Sequence, residues 1–468
     1  MRSPSRSPVV FSALVAALGG LLFGFDTAVI SGTTEALQRT FALGEFGLGF
    51  AVASALIGTI VGAFAAGRPA ERFGRKPVLF VLAVLYFVAS IGSALAASLT
   101  TFVIFRFIGG LAVGGASVVS PLYIAEIAPA RQRGRLVALN QLNVVGGILL
   151  AFLSNFLLAR VVVTDAAWRW MLGVQAFPAA LFFVLLFFIP ESPRWLIKRG
   201  RVDEARAILT RIEGSAVEHE LEDIMVSVRA EVGHREATLF QRRYARPIFL
   251  AWTVAMFNQL SGINALMYYA PRIFRSAGAA AGDALLQAVA IGGTNLLFTA
   301  LALFIIDRFG RRPLLALGGL GAAVSLALTA VGFYRGGTTG HLVLAGLLGF
   351  IAFHAIGQGA VIWVFISEIF PNAVREKGQA LGSFTHWFMA AVVSWTFPVV
   401  AEASGGLALS FFATMMLLQF VFAWKIMPET RGLSLEELQH RLGIATSAPA
   451  VAAMDTGRHE SSERSANI

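Results

Sequence analysis

Twelve stretches of this sequence run almost free of charged side chains. Each is about 20 residues or slightly longer, the length a helix needs to cross a ~30 Å hydrocarbon layer at about 1.5 Å per residue. Read by hydropathy, they lie at 9–30, 46–67, 77–97, 100–123, 136–158, 168–189, 246–270, 284–306, 313–333, 341–367, 377–401 and 405–427. The short alternating segments of a transmembrane barrel are not seen. With 57% hydrophobic and only 14% charged residues in 468, and a mean hydropathy of +0.72, the chain is too apolar for an ordinary soluble globule. The expected fold class is an all-α membrane protein of twelve transmembrane helices. Arg2 and Arg6 ahead of the first run suggest a signal peptide, but the run is long, lacks a small-residue cleavage site and continues into the motif around Asp26.

The net charge of +10 sits in short clusters between the apolar runs, which is a topology signal and not a nucleic-acid footprint. Arg68, Arg72, Arg75 and Lys76 fall in the second loop, Arg131, Arg133 and Arg135 in the fourth, Arg308, Arg311 and Arg312 in the eighth. By the positive-inside rule these loops face the cytoplasm, so both termini are expected inside a plasma membrane, that of a bacterial inner membrane. No cysteine is present, excluding disulfides, thiolate metal sites and cysteine nucleophiles. Without GxxxxGK[ST], HExxH or GxSxG, neither a nucleotide-driven pump nor a membrane hydrolase is expected, and no cofactor or metal is called for.

The runs divide the chain into a six-helix bundle over 1–189, a charged linker over 190–245, a second six-helix bundle over 246–427 and a tail over 428–468. Within the linker, Ala205, Ile208, Leu209 and Ile212 share one face of an amphipathic helix near Val202 to Ile212. Ser434 and Glu437 make a capping box for a short helix in the tail, and residues beyond about 443 read as disordered.

The two bundles echo one another. Glu71-Arg72-Phe73-Gly74-Arg75-Lys76-Pro77 returns 236 residues later as Asp307-Arg308-Phe309-Gly310-Arg311-Arg312-Pro313. Glu126 precedes Arg133 by seven residues, as Glu368 precedes Arg375, and Pro190-Glu191-Ser192-Pro193-Arg194 is echoed by Pro428-Glu429-Thr430-Arg431. Three echoes at nearly one offset indicate a duplicated six-helix unit, an arrangement used by one large class of transporters.

Together with Gln259-Leu260-Ser261-Gly262-Ile263-Asn264 and Gly24-Phe25-Asp26, these motifs resemble the sugar porter family of the major facilitator superfamily from about residue 12 to 440. The resemblance implies a twelve-helix, two-half transporter with one central site opened alternately to either side. It implies that Arg75, Glu126, Arg133, Glu191 and Arg194 form one cytoplasmic charge cluster, with Arg311, Glu368, Arg375, Glu429 and Arg431 as its twin. Such clusters latch the halves when the cavity faces outward and separate when it opens inward. The plainer alternative is ordinary loop charges, each exposed pair contributing ~0 to 1 kcal/mol.

Asp26 lies inside an apolar span, where a carboxylate costs roughly 2.5 to 3.5 kcal/mol on insertion scales and is functional or paired by default. Arg106 in the fourth span is its natural partner. Desolvation raises a carboxylate's proton affinity and an approaching guanidinium lowers it, so relative motion of the two would load and release a proton. The resembling proton-coupled bacterial porters carry Asp at the matching position, and passive facilitators typically do not. A static ion pair serving assembly is the alternative. His354 and His386 are rival titrating groups.

A sugar site needs neutral donors and acceptors and an aromatic face. Gln141, Gln259, Asn264, Asn295, Trp363 and Trp387 supply both and match family positions that contact sugar. Taken singly, each amide reads equally well as an interhelix hydrogen bond and each Trp as an interfacial anchor. Gly262 is expected to loosen the seventh helix so that Asn264 turns toward the cavity, with Tyr268 and Tyr269 as a gate beyond it. The family pattern is broken at Asn258, where a second Gln is common, at His386, which takes the sugar-contacting position where Asn or Gln is usual, at Gln358-Gly359-Ala360, often built around Pro, and at Glu71 in place of Asp. These changes bear on which sugar is read. Proton-coupled monosaccharide symport is therefore the expected function, with sugar, proton and bilayer as partners and a monomer as the working unit. A facilitated-diffusion uniporter and a non-transporting sugar sensor are the alternatives.

Overall fold

A computed structural model describes residues 7–129, 132–213, 217–233, 238–336, 340–433 and 435–444. Among them, eleven helices are long and apolar enough to cross a membrane. Their bounds fall within a few residues of the hydropathy reading, from Ser7–Val29 for the first to Gly405–Lys425 for the last.

The remaining crossing, the seventh, is made by two helices, Ala245–Leu260 and Ile263–Ser276, because the chain turns left-handed at Gly262, with φ of +80°. An L side chain rarely adopts that conformation. A Cβ at Gly262 would also stand 2.4 Å from the Phe412 ring. The tenth crossing is interrupted more gently by a π turn at Ala355–Gly359 between Gly340–His354 and Ala360–Glu368. Both interruptions lie beside the intramembrane amides, and backbone irregularity at membrane depth is tolerated only where protein or a cavity surrounds it.

The linker forms helices at Pro193–Lys198, Val202–Glu213 and Val217–Gly233. Ala205 and Leu209 bury against Trp195, Leu196 and Leu221 in a small core of their own. Leu435–Arg441 is helical as expected. Ser434 of the expected capping box, Arg131, the N-terminal Arg2 and Arg6, and the tail beyond Ile444 lie outside the described residues.

The doubled RFGR[RK]P motif is a device for starting a helix. Gly74 and Gly310 take φ of +105° and +89°, and the third and ninth spans begin at the next residue. The Glu191 carboxylate accepts the Arg75 and Lys76 backbone N–H groups at 3.0 and 3.2 Å, and Glu429 does the same for Arg311 and Arg312 at 3.0 Å each. First-turn N–H groups have no intrahelical acceptor, and a negative charge suits that end of the helix dipole. The following Pro77 and Pro313 lack an N–H that would need satisfying. A Cβ at Gly74 would fall 2.3 Å from a Glu191 carboxylate oxygen. The two distant repeats, RFGR[RK]P and PE[ST], are thus two sides of one contact made once in each half.

The buried cores are asymmetric along the membrane normal. At the end carrying the basic loops, one core is built from the first six spans around Leu79, Tyr86 and Tyr123. A separate one is built from the last six around Val254, Phe365 and Phe370. At the opposite end a single core joins both halves, with Val29, Leu48, Val52 and Phe152 packed with Tyr269, Phe274, Phe397 and Phe412. Outward-facing Phe177, Phe188, Leu297 and Phe304 are all more than 60% exposed, the surface a multi-pass protein presents to lipid.

Candidate functional site

Asp26 and Arg106 meet inside the first half. Arg106 Nη1 donates to Asp26 Oδ1 at 2.7 Å, and both side chains are buried. The contact is single. Arg106 Nε has no acceptor, and the buried Tyr86 hydroxyl is likewise without a partner among the described residues. A bidentate fork would be the stronger, more rigid pairing. A one-point contact between desolvated charges holds both ions in place yet can be broken by a small displacement of either helix.

The expected amides of the second half assemble around the break in the seventh span. Asn264 Nδ2 donates to Gln259 Oε1 at 3.0 Å, and Gln259 Nε2 donates to Asn258 Oδ1 at 3.0 Å. Gln259 Nε2 also lies 3.2 and 3.3 Å from the two ring nitrogens of His386. The His386 ring packs between Trp363 and Trp387, with centroids 5.0 and 4.8 Å away, and Trp387 reaches Phe23 of the other half at 5.5 Å. Trp363 is 38% exposed, leaving aromatic surface for a ligand. Gln141, half buried on the fifth span, and Asn295, whose Oδ1 accepts from Thr299 at 3.4 Å, stand outside this connected set. Gln419, a buried amide of the twelfth span, was not anticipated. Its signal was the same as for the others, an amide in the middle of an apolar run.

At the basic-loop end, Arg75 makes a two-point contact with Glu126, both at 2.7 Å, and Ser192 donates to the same carboxylate at 2.6 Å. The second half repeats this with Arg311 to Glu368 at 2.8 Å and Thr430 to Glu368 at 2.6 Å. The hydroxyls were not anticipated, although Ser192 and Thr430 follow the repeated Glu in each half. Four expected members sit elsewhere. Arg133 is exposed at the start of the fifth span. Arg194 donates to Ser227 at 3.3 Å, Arg375 to the Phe370 carbonyl at 3.4 Å, and the Arg431 side chain to the Arg308 carbonyl. Each of these contacts lies within one half or its adjoining linker.

Glu191 is titratable and lies outside the spans. Burial pushes its carboxyl above the usual range, against the pull of the Ser192, Lys76 and Arg75 backbone N–H groups and the Arg75 charge. A carboxyl whose folded pKa is raised weakens the fold once ionised, so this handicap grows as pH rises from the unfolded value through the raised one. Glu191→Gln should therefore gain thermal stability relative to the native protein as pH is raised from about 4.5 toward 7. Melting curves of the two proteins in detergent across that range check it. A constant gap at every pH contradicts the assignment.

At the opposite end the halves are tied together. Arg272 of the seventh span reaches Glu45 of the second at 2.5 Å, Gln38 donates to the same carboxylate at 2.9 Å, and Arg275 pairs with Glu35. Trp395 packs between Phe46 and Phe50, at 5.3 and 5.1 Å. Tyr268 and Tyr269 are buried there, Tyr269 donating to the Ser394 carbonyl at 3.1 Å.

Two similar six-span halves, joined at one membrane face and separately cored at the other around a buried ion pair and a polar, aromatic centre, define a membrane carrier. A family model described as "Sugar (and other) transporter" matches residues 12–442, and the chain belongs to that family. It is 40% identical over 480 residues to the D-xylose-proton symporter of Escherichia coli K12, covering 94% of this chain and 97% of that one. Among solved structures, the inward open conformation of the xylose transporter XylE from E. coli superposes with a TM-score of 0.83 at 39% identity, covering 92% of this chain and 99% of that one. The proton:xylose symporter XylE bound to 6-bromo-6-deoxy-D-glucose gives 0.77 at 39% identity, with 93% and 99% covered. The fold is that of a major facilitator, the twelve-helix architecture expected from the sequence.

Proposed function

We propose that this chain is a proton-coupled monosaccharide symporter that works by alternating access. The observation that carries the reading is the buried, single-point Asp26–Arg106 contact in one half together with an amide and tryptophan constellation in the other. Asp26 is the proton carrier, and Arg106 sets its affinity by distance. Gln259, Asn264, His386, Trp363 and Trp387 bind the sugar, with Gln141 and Asn295 completing the site when the halves close. The basic loops are cytoplasmic, so both termini lie inside, and the conformation described is inward-facing, with the halves cored separately at that side. Arg75, Glu126, Arg311 and Glu368 are the standing parts of the latch, with Arg133, Arg194, Arg375 and Arg431 joining it in the outward-facing state. The domain division at 189, 245 and 427 follows the carrier's two halves and their linker. Each half has its partner within the chain, so a monomer in a bacterial inner membrane suffices.

Uptake into proteoliposomes tests this. D-xylose, L-arabinose, D-glucose and D-galactose are presented with and without an inward proton gradient. At least one sugar should accumulate above its external concentration only when the gradient is imposed. Uptake that merely equilibrates makes the protein a facilitator, and no uptake of any sugar removes the substrate class.

A further inference from the structure

The amides behind the site form a longer chain than the site itself needs. From Asn264 through Gln259 and Asn258 it continues inward. Asn258 Nδ2 donates to Gln358 Oε1 at 3.4 Å, Gln358 donates to Gln419 Oε1, and Gln419 Nε2 donates to the Leu315 carbonyl at 3.4 Å. Five side-chain amides from three spans thus run head to tail and end on backbone. Asn258, Gln259, Gln358 and Gln419 are each 3% exposed or less, and an unpaired amide in such a place is costly.

An amide taken alone can be turned over, exchanging donor for acceptor, but a backbone carbonyl can only accept. Leu315 therefore fixes the direction of the whole row. Gln419 must present its NH2 to Leu315 and its oxygen to Gln358, and the same constraint passes through Asn258 and Gln259 to Asn264. At the open end, one Asn264 N–H is engaged on Gln259 Oε1, while Asn264 Oδ1 meets no donor among the described residues and belongs to a half-buried side chain. The second Gln259 N–H is directed at the His386 ring edge. A neutral imidazole has one lone pair to receive it, whereas an imidazolium has none. Reversing the row would set two acceptors, Gln419 Oε1 and the Leu315 carbonyl, against each other in an apolar interior.

We propose that Asn258, Gln358 and Gln419 are positioning residues that, anchored on the Leu315 carbonyl, hold Asn264 with its oxygen toward the cavity, so that the site demands a hydrogen-bond donor from one sugar hydroxyl. This rests on the sugar-binding reading above. It adds a specificity rule to that reading: against Asn264 Oδ1 the site accepts a hydroxyl and rejects a group that can only accept. The π turn at Ala355–Gly359 contributes by placing Gln358 in the tenth span where it can join the seventh to the twelfth.

The test begins on the native protein. Binding of D-xylose is compared with xylose in which each hydroxyl in turn is replaced by hydrogen or by fluorine, which accepts weakly and cannot donate. The same panel on Asn264→Ala identifies the hydroxyl that Asn264 meets, as the one whose replacement no longer matters. At that position the deoxy and fluoro analogues should bind the native protein equally poorly, each by about tenfold or more. A fluoro analogue that recovers the affinity of the parent means Asn264 presents its NH2, and overturns the proposal. Gln419→Met keeps length and removes both polar functions. It should weaken D-xylose binding about tenfold in the native background and less than about twofold in Asn264→Ala, while the fall in melting midpoint from the orphaned Gln358 amide is the same in both backgrounds. Equal losses of binding in both backgrounds assign Gln419 a merely structural role and sink the proposal. If Gln419→Met does not fold, the analogue panel on native protein still decides the row's direction, and Gln358→Met repeats the cycle one link nearer the site. A native protein that binds no sugar removes the functional reading itself, a result distinct from sugar binding with the wrong polarity.

Discussion

Asp26→Asn should abolish gradient-driven accumulation while leaving counterflow exchange of the same sugar within a few-fold of native. One pH unit of gradient supplies about 1.4 kcal/mol, or about tenfold accumulation for one proton per sugar. The variant should fall from that value to simple equilibration. Asn retains an oxygen to accept from Arg106, so the 2.7 Å contact has a successor and the helices keep their spacing. What Asn lacks is a proton to exchange. Removing one partner of a buried pair costs about 3 to 5 kcal/mol when the other charge is left uncompensated, so some loss of stability is expected too. For that reason the measurement is the ratio of accumulation to exchange in the same vesicles, which reduced protein amount leaves unchanged. If Asp26→Asn still concentrates sugar, the coupling proton is carried elsewhere, and the Asp26–Arg106 pair serves assembly.

Glu45→Gln should open the face at which the halves now meet. Glu45 accepts from Arg272 of the other half and from Gln38 of its own, and its side chain is 10% exposed against 26% for Arg272. Removing the charge leaves Arg272 half uncompensated in a partly desolvated place, a change expected to cost about 2 kcal/mol or more. The shift toward the conformation that separates this face is then roughly thirtyfold. The chain has no cysteine, so cysteines introduced at Arg39 and Ala280, exposed and on opposite halves, report without background when spin-labelled. The distance distribution between them should gain a longer component in Glu45→Gln that is minor in the otherwise native pair. An unchanged distribution would assign the closure to the aromatic and aliphatic core around Val52, Trp395 and Phe397 instead.

Much of this was legible in the residue order because lipid as a solvent leaves few choices. A run of about 20 apolar residues has to be a helix there, and bounds read from hydropathy alone fell close to the observed ones. The duplicated motifs revealed two halves without any coordinates. Asp26 and Arg106 were legible as a pair because intramembrane charges seek partners. The charge clusters were only partly legible. The sequence grouped Arg75 with Glu126 and Arg311 with Glu368, but in clusters that also enrolled Arg133, Arg194, Arg375 and Arg431, since linear spacing cannot tell which of several nearby arginines this conformation leaves apart. The carboxylates of Glu191 and Glu429 also cap the helices begun after Gly74 and Gly310, a contact that linear spacing does not reveal.

The residue order by itself determined that this is a twelve-span, two-fold repeated membrane protein with a carboxylate inside its first span, because burial of backbone and charge in hydrocarbon is costly enough to be written into composition and period. Tertiary structure alone decided which membrane face is closed. It also decided that Asn258, Gln358 and Gln419, far apart in the sequence, form one directed row with Asn264. Side-chain hydrogen bonds act over about 3 Å, and which amides come that close depends on how three helices cross, a matter on which periodicity is silent.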